Sequence, residues 1–418
     1  MDPEFNILAI ILLIALLALW NLDFISALLN LKNLRPELPP EFRDTFDEDK
    51  YAKSQEYTRA GTKFEILTSL ASLTVLLVFW FIGGFGGLDG AARSLGGSIL
   101  AIGLTYITAL AALNYLFQLP FSLYETFVLE ERFGFNKTTF KTFVLDQVKT
   151  VLLMAIIGLP LVAGILWIFQ NVENAWLWAW IAFTAFTLAL TYLAPSVILP
   201  LFNKFEPMED GELKQAIQRM AEKCQFPLTE ISIMDGSKRS AKSNAFFTGF
   251  GKRKKIALYD NLVEQQTTEE LVAVLAHEIG HFKKKHIVQR IVLSIVQTGI
   301  IFFLLGLATD PHGAFARMLF DAFGVGPISY HVGFVLFFIV FKPVSRILGI
   351  AMNAWSRKHE FEADAYAADA QETPDHLVSA LKKLSADNLS NLTPHPLPVF
   401  LDYSHPPVLQ RIHALRQR

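Results

Sequence analysis

The chain has 418 residues, of which 52% are hydrophobic and 13% aromatic, and only 18% carry a charge. Soluble domains carry about 25% charged residues, so this chain cannot present polar surface to water on all sides. Its net charge of −2 gives no basis for nucleic-acid binding, and the single cysteine, Cys224, excludes an internal disulfide and a cysteine-rich metal site.

Seven apolar stretches are long enough to cross a bilayer, which takes about 20 helical residues. They fall at roughly 6–31, 64–88, 96–118, 150–171, 175–202, 287–309 and 327–351. The first lacks a basic leader, and its apolar run continues past Trp20 toward Leu31, so it reads as a retained span rather than a signal peptide. Basic residues concentrate in alternate loops: Lys32 to Lys63, Arg132 to Lys149, and the long segment with Lys252-Arg253-Lys254-Lys255 and Lys283-Lys284-Lys285. The other loops hold little beyond Arg93 and Arg317. The positive-inside rule then puts the N-terminus outside, and the long segment and C-terminus in the cytoplasm.

The chain accordingly divides into 1–202, five spans with their loops; 203–286, a soluble segment; 287–351, the last two spans; and 352–418, a helical end. Within the first soluble segment a helix is expected over about 211–224, which takes in Cys224 as an ordinary residue. Strands follow at about 230–235 and 255–260, with an extended stretch at 244–250 between them. A further helix starts near 268, capped by Thr267 or Thr268 ahead of Glu269-Glu270. In the helical end, His405-Pro406-Pro407 begins the last helix.

The helix from 268 carries His277-Glu278-Ile279-Gly280-His281. Histidines four apart lie on one helical face and can share a zinc ion, while Glu278 beside them can take a proton from a metal-bound water. A catalytic zinc needs a third protein ligand. A histidine at the H-x-x-G-x-x-H position is ruled out, because that position is Ile287 and His286 falls one residue short. A later helix offers Glu360, with Asp364 in phase with it to steady a ligand histidine; Glu362, about 160° round the helix, is the less well-placed alternative. His359 reads as a surface or interfacial histidine. Two spans separate His281 from Glu360, so both lie on one side of the bilayer, and the zinc helix is expected to run into span six as span seven runs into the Glu360 helix. Asn244-Ala245-Phe246 lies in the extended stretch, where a substrate strand could pair, although a plain hairpin strand fits equally well. His405 and Arg411 are candidate donors to a developing oxyanion, with capping and surface roles as the alternative.

Taken together, these motifs resemble the type I CAAX prenyl endopeptidases, integral-membrane zinc proteases. Tyr124-Glu125-Thr126-Phe127-Val128-Leu129-Glu130-Glu131, Gly134-Phe135-Asn136-Lys137, Pro200-Leu201-Phe202-Asn203-Lys204-Phe205, Ser237-Lys238-Arg239-Ser240 and Ser404-His405-Pro406-Pro407 extend the resemblance over the whole chain. It implies a mainly α, polytopic membrane protein: seven transmembrane helices enclosing a chamber, with a cytoplasmic zincin-like α+β metalloprotease domain. It further implies one Zn2+ per chain on His277, His281 and Glu360, Glu278 as general base, and Asp364 behind a ligand histidine. Asn244, Ala245 and Phe246 are expected to contact substrate, and His405, with Arg411 near it, to stabilise the transition state. The expected partners are a peptide or protein substrate, prenylated in the family, and the lipid bilayer; the chain is expected to act as a monomer. A heat-shock-type quality-control protease is the rival within the class, and a zinc-pinned scaffold or channel the rival outside it. The chain is shorter than eukaryotic members and ends Leu415-Arg416-Gln417-Arg418 without a retrieval signal, so a bacterial inner membrane is expected, with the endoplasmic reticulum as the alternative.

Overall fold

The computed structural model describes residues 6–243, 245–248 and 254–418. Its helices are α1 Ile7–Lys32, α2 Glu48–Phe81, α3 Gly84–Ser94, α4 Ile99–Tyr124, α5 Phe140–Leu153, α6 Leu159–Asn171, α7 Ala175–Leu193 and α8 Leu199–Phe202. A mixed unit follows: β1 Phe205–Pro207, α9 Glu212–Lys223, β2 Leu228–Met234, β3 Ala245–Thr248, β4 Lys254–Tyr259, α10 Asp260–Gln265 and α11 Thr268–Lys283. The chain then runs through α12 His286–Thr309, α13 Ala314–Ala322, α14 Tyr330–Gln371, α15 Asp375–Asp387, α16 Pro396–Leu401 and α17 Val408–Arg416.

Seven of the described helical runs are long and apolar enough to cross a membrane: α1, α2, α4 with its continuation to Glu130, α5–α6, α7–α8, α12 and α14. In three of these runs the ladder widens into a π-helical turn, at Glu125–Glu130, Met154–Gly158 and Ala194–Ile198. Pro120, Pro160 and Pro195 lie in or near these turns, and each removes one N–H donor from the ladder. The second span ends earlier than its apolar composition suggests. Gly83, at φ 72°, turns the chain after Phe81 and Ile82, and the glycine-rich Gly84–Ser94 becomes a separate short helix.

Two large cores form among the described residues. At the end away from the catalytic segment, Leu12, Trp80, Phe85, Tyr106, Leu166, Phe302, Phe323 and Val332 form one core. At the other end, the sheet, α9, α11, α15 and α17 form another around Ile217, Leu258, Leu271, Ile279, Leu381 and Ile412. No span buries more than 22% of its most apolar stretch inside the protein. Helices in a close-packed bundle would bury one face throughout, so these spans leave most of their apolar surface uncovered by protein. A cavity of about 580 Å3 lies between the first two spans and the C-terminal segment, lined by Asp23, Tyr57, Glu65, Asp402 and Tyr403 among others.

The sheet has the order β1-β2-β4-β3, with β2 and β4 parallel and both outer strands antiparallel to their neighbours. Strand β1 has no counterpart among the expected elements, being only three residues long and following directly on the last residues of span five. The expected stretch around 244–250 forms β3 over Ala245–Thr248, at the sheet edge, with Ala245 opposite Leu258 and Phe246 opposite Ala257.

Candidate active site

Helix α11 starts on a reciprocal cap. The Thr267 hydroxyl accepts from the Glu270 backbone N–H, and the Glu270 carboxylate accepts from the Thr267 N–H at 2.8 Å. Leu271, Val272, Leu275 and Ile279 then bury themselves in the peptidase core. Gly280 sets how near α14 can come: a Cβ there would sit 3.0 Å from the carbonyl oxygen of Ala363 and 3.1 Å from its Cα. That approach brings Glu360 and Asp364 to the histidines. Helix α14 is a single 42-residue helix with Pro343 inside it, so the last span runs on into the Glu360 segment, as expected. Span six is different. The chain breaks between α11 and α12 at Lys285, which adopts φ 59°.

His277, His281 and Glu360 converge. His277 Nε2 lies 3.2 Å from His281 Nε2 and 3.4 Å from Glu360 Oε2, and His281 Nε2 lies 3.3 Å from Glu360 Oε1. Two donors about 2.0–2.1 Å from a tetrahedral ion stand about 3.3–3.4 Å apart, so this spacing matches a zinc site. Glu360 is buried, and its Oε2 has no hydrogen-bond partner among the described residues. A sealed, unsatisfied carboxylate oxygen is costly unless a cation meets it. The donor set therefore fits a metal ion.

Behind this cluster, His277 Nδ1 donates to Asp364 Oδ1 at 2.8 Å. Arg411, on α17, grips Asp364 with two bonds of 2.6 and 2.8 Å and comes within 3.8 Å of Glu360. Burial pulls the His277 imidazole down, but its hydrogen bond to Asp364 and the adjacent Glu360 carboxylate outweigh it and hold its pKa at about 9, so a metal must displace a proton to bind there. Glu278 is half-buried, and burial pushes its carboxyl up, an effect that His277 and His281 partly offset. Among the described residues it makes no hydrogen bond. His405 stands exposed at the rim, its Nε2 3.5 Å from Glu360 Oε1. Of the two expected oxyanion donors, only His405 has a free outer face; Arg411 is committed to Asp364.

Asn244 lies outside the described residues. Ala245 and Phe246 take their places on the edge strand β3, which packs beside α11. Glu362 does not join the cluster; its Oε2 meets His286 Nε2 at 3.0 Å. His359 is buried rather than superficial, stacked on the His286 ring at 3.8 Å, because α14 inserts it between Trp355 and the start of α12. His286 itself lies 3.0 Å from His281, a partnership invisible to a reading that assumed an unbroken helix past His281.

Comparisons with known proteins match both halves of the chain. The family described as CAAX prenyl protease N-terminal, five membrane helices, matches residues 27–204, and Peptidase family M48 matches residues 207–418. The chain is 38% identical to CAAX prenyl protease 1 of Saccharomyces cerevisiae, over 91% of this chain and 88% of the relative. It is 32% identical to the CAAX prenyl protease 1 homolog of Homo sapiens, over the same shares of each chain. The crystal structure of S. mikatae Ste24p superposes with a TM-score of 0.89 at 34% identity, covering 99% of this chain and all of that one. With a five-helix membrane module preceding a metallopeptidase module, the chain belongs to the CAAX prenyl protease 1 family and is an integral-membrane metalloendopeptidase.

Proposed function

We propose that this metalloendopeptidase works on one zinc ion held by His277, His281 and Glu360 and removes C-terminal residues from prenylated CAAX substrates. The observation that carries the metal reading is the 3.2–3.4 Å spacing of the three donors around a buried, unsatisfied Glu360 oxygen. Zinc bound there would polarise the scissile carbonyl and lower the pKa of a bound water toward neutrality. Glu278 takes the proton from the attacking water and returns it to the leaving amine. His405 donates a hydrogen bond to the carbonyl oxygen as charge builds on it. Asp364 fixes the proton of His277 on Nδ1, leaving Nε2 for the metal, and Arg411 holds Asp364 in place. The substrate backbone pairs along β3, with Asn244, Ala245 and Phe246 as its contacts.

The seven spans, uncovered by protein over most of their apolar length, support a lipid-bearing substrate, because a prenyl chain needs an apolar path toward the peptidase unit. In this reading residues 1–202 and 287–351 form the membrane ring, and 203–286 with 352–418 form the peptidase cap, facing the cytoplasm with the N-terminus outside. The enzyme acts as a monomer embedded in lipid. Assignment to a bacterial inner membrane rests on the sequence alone, and the relatives named above come from eukaryotes. A non-catalytic scaffold falls away with membership of a peptidase family. The heat-shock type is disfavoured by the five-helix N-terminal match.

The test of substrate class is cleavage of a farnesylated CAAX peptide and its unprenylated twin by the purified, zinc-loaded chain. Faster cleavage of the farnesylated peptide is expected. Equal rates would remove the lipid from the recognition and return weight to a general membrane protease.

A further inference from the structure

His277 has a carboxylate directly behind it, and His281 does not. On the far side of His281 its Nδ1 faces His286 Nδ1 at 3.0 Å, and His286 Nε2 faces Glu362 Oε2 at 3.0 Å. We propose that His286 and Glu362 are positioning residues that, as a relay, fix which nitrogen of His281 is free to bind the metal. This inference rests on the reading of His281 as a metal ligand.

The argument is one of proton placement. Two ring nitrogens 3.0 Å apart share one hydrogen, so one donates and the other accepts. A carboxylate only accepts, so Glu362 places the His286 proton on Nε2 and leaves Nδ1 as an acceptor. His281 must then carry its proton on Nδ1, which leaves Nε2 bare. Nε2 is the atom aimed at His277 and Glu360. Glu362 thus sets the tautomer of His281 through one intervening imidazole, as Asp364 sets that of His277 directly.

The surroundings fix the orientation of the His286 ring, which stands at 71° to that of His281. His286 is 1% exposed, and its ring lies parallel to His359, 6° apart at 3.8 Å, with Trp355 against the other ring at 4.5 Å. The left-handed turn at Lys285 brings His286 back to His281, where a continued helix would carry it away. Glu362 is the accessible end of the chain, with Lys358 3.8 Å from it.

The experiment is chelator competition for zinc by the purified full-length chain, with the visible spectrum of the cobalt-substituted protein as a second readout. Glu362→Ala and His286→Ala are each expected to weaken zinc binding about 10–100-fold, with an altered cobalt spectrum. Because the two residues act in series, the double variant should be no weaker than the weaker single one. Glu362→Gln, whose amide oxygen still accepts from His286, should recover most of the affinity. Should His286→Ala not fold, the half-exposed Glu362 position carries the test alone. Zinc affinity within twofold of wild type in Glu362→Ala overturns the relay, as does strict additivity. His281→Ala separates the two levels. If it loses zinc while Glu362→Ala does not, only the relay fails; if it keeps wild-type affinity, the ligand reading fails as well.

Discussion

Asp364 stands 2.8 Å from His277 Nδ1 and is itself clasped at two points by Arg411, so a histidine, a carboxylate and a guanidinium from three separate helices lock together behind the His277–His281–Glu360 cluster. The arrangement ties the C-terminal helix α17 to the site, although Arg411 has no need to touch substrate. Removing the carboxylate should loosen His277 and weaken metal binding about 10–100-fold in Asp364→Ala, measured by chelator competition. Arg411→Met is the harsher change. It takes the guanidinium from buried Asp364, leaving protonated His277 as its remaining cation in the metal-free protein, and should cost about 3 kcal/mol in thermal or denaturant unfolding. A stable Arg411→Met protein with normal metal affinity would mean that the clasp has no such role.

The two glutamates on α14 separate by metal content. Glu360→Ala removes one of the three proposed ligands and should leave the purified protein with little bound metal even when zinc is supplied. Glu362→Ala should still fill to one ion per chain under saturating zinc. Full occupancy in both, by elemental analysis, would take Glu360 out of the ligand set.

Gly280 tests the approach of the two helices. Alanine at this position favours the helix by about 1 kcal/mol over glycine, but its Cβ would press on the Ala363 backbone at 3.0 Å. Gly280→Ala should therefore weaken metal binding without a matching loss of helix, and Gly280→Val should do so more strongly. Unchanged metal affinity in both variants would show that α14 yields without moving Glu360.

The cap of α11 gives a pH signature. Burial pushes the Glu270 carboxyl up, but the Lys383 and Ser379 side chains and the Thr267 N–H outweigh it and hold its pKa below the ordinary carboxylate value. A depressed folded-state pKa contributes stability that is fully present above the unfolded pKa of about 4.3 and is lost as pH falls through the lower folded value. Glu270→Gln should thus unfold at a lower temperature than wild type near neutral pH, and the gap should narrow on the acid side. A gap that stays constant down to pH 3 would assign the effect to packing rather than charge.

Much of the site was legible in the sequence because helical phase is rigid over four residues. That rule alone paired His277 with His281 and Glu360 with Asp364, and counting spans put both pairs on one side of the bilayer. The seven spans were legible from length and apolarity. What escaped the sequence was set by breaks and by tertiary approach. Gly83 ended the second span where composition continued, and a left-handed lysine at position 285 folded His286 back onto His281. Nothing in the local pattern marks Lys285, a residue type with no preference for that conformation. The commitment of Arg411 to Asp364 was equally hidden, since it joins residues from helices far apart in the chain.

The most direct measurement compares wild type with Glu278→Gln, both loaded with one zinc per chain, in single-turnover cleavage of a farnesylated CAAX peptide. Removing a positioned general base should slow the chemical step by about 10²–10⁴-fold or more, while metal content and unfolding temperature stay at wild-type values. Cleavage at the wild-type rate by Glu278→Gln would contradict the account at its centre, because the chemistry would then be running without the residue that the His277–His281 face places beside the metal.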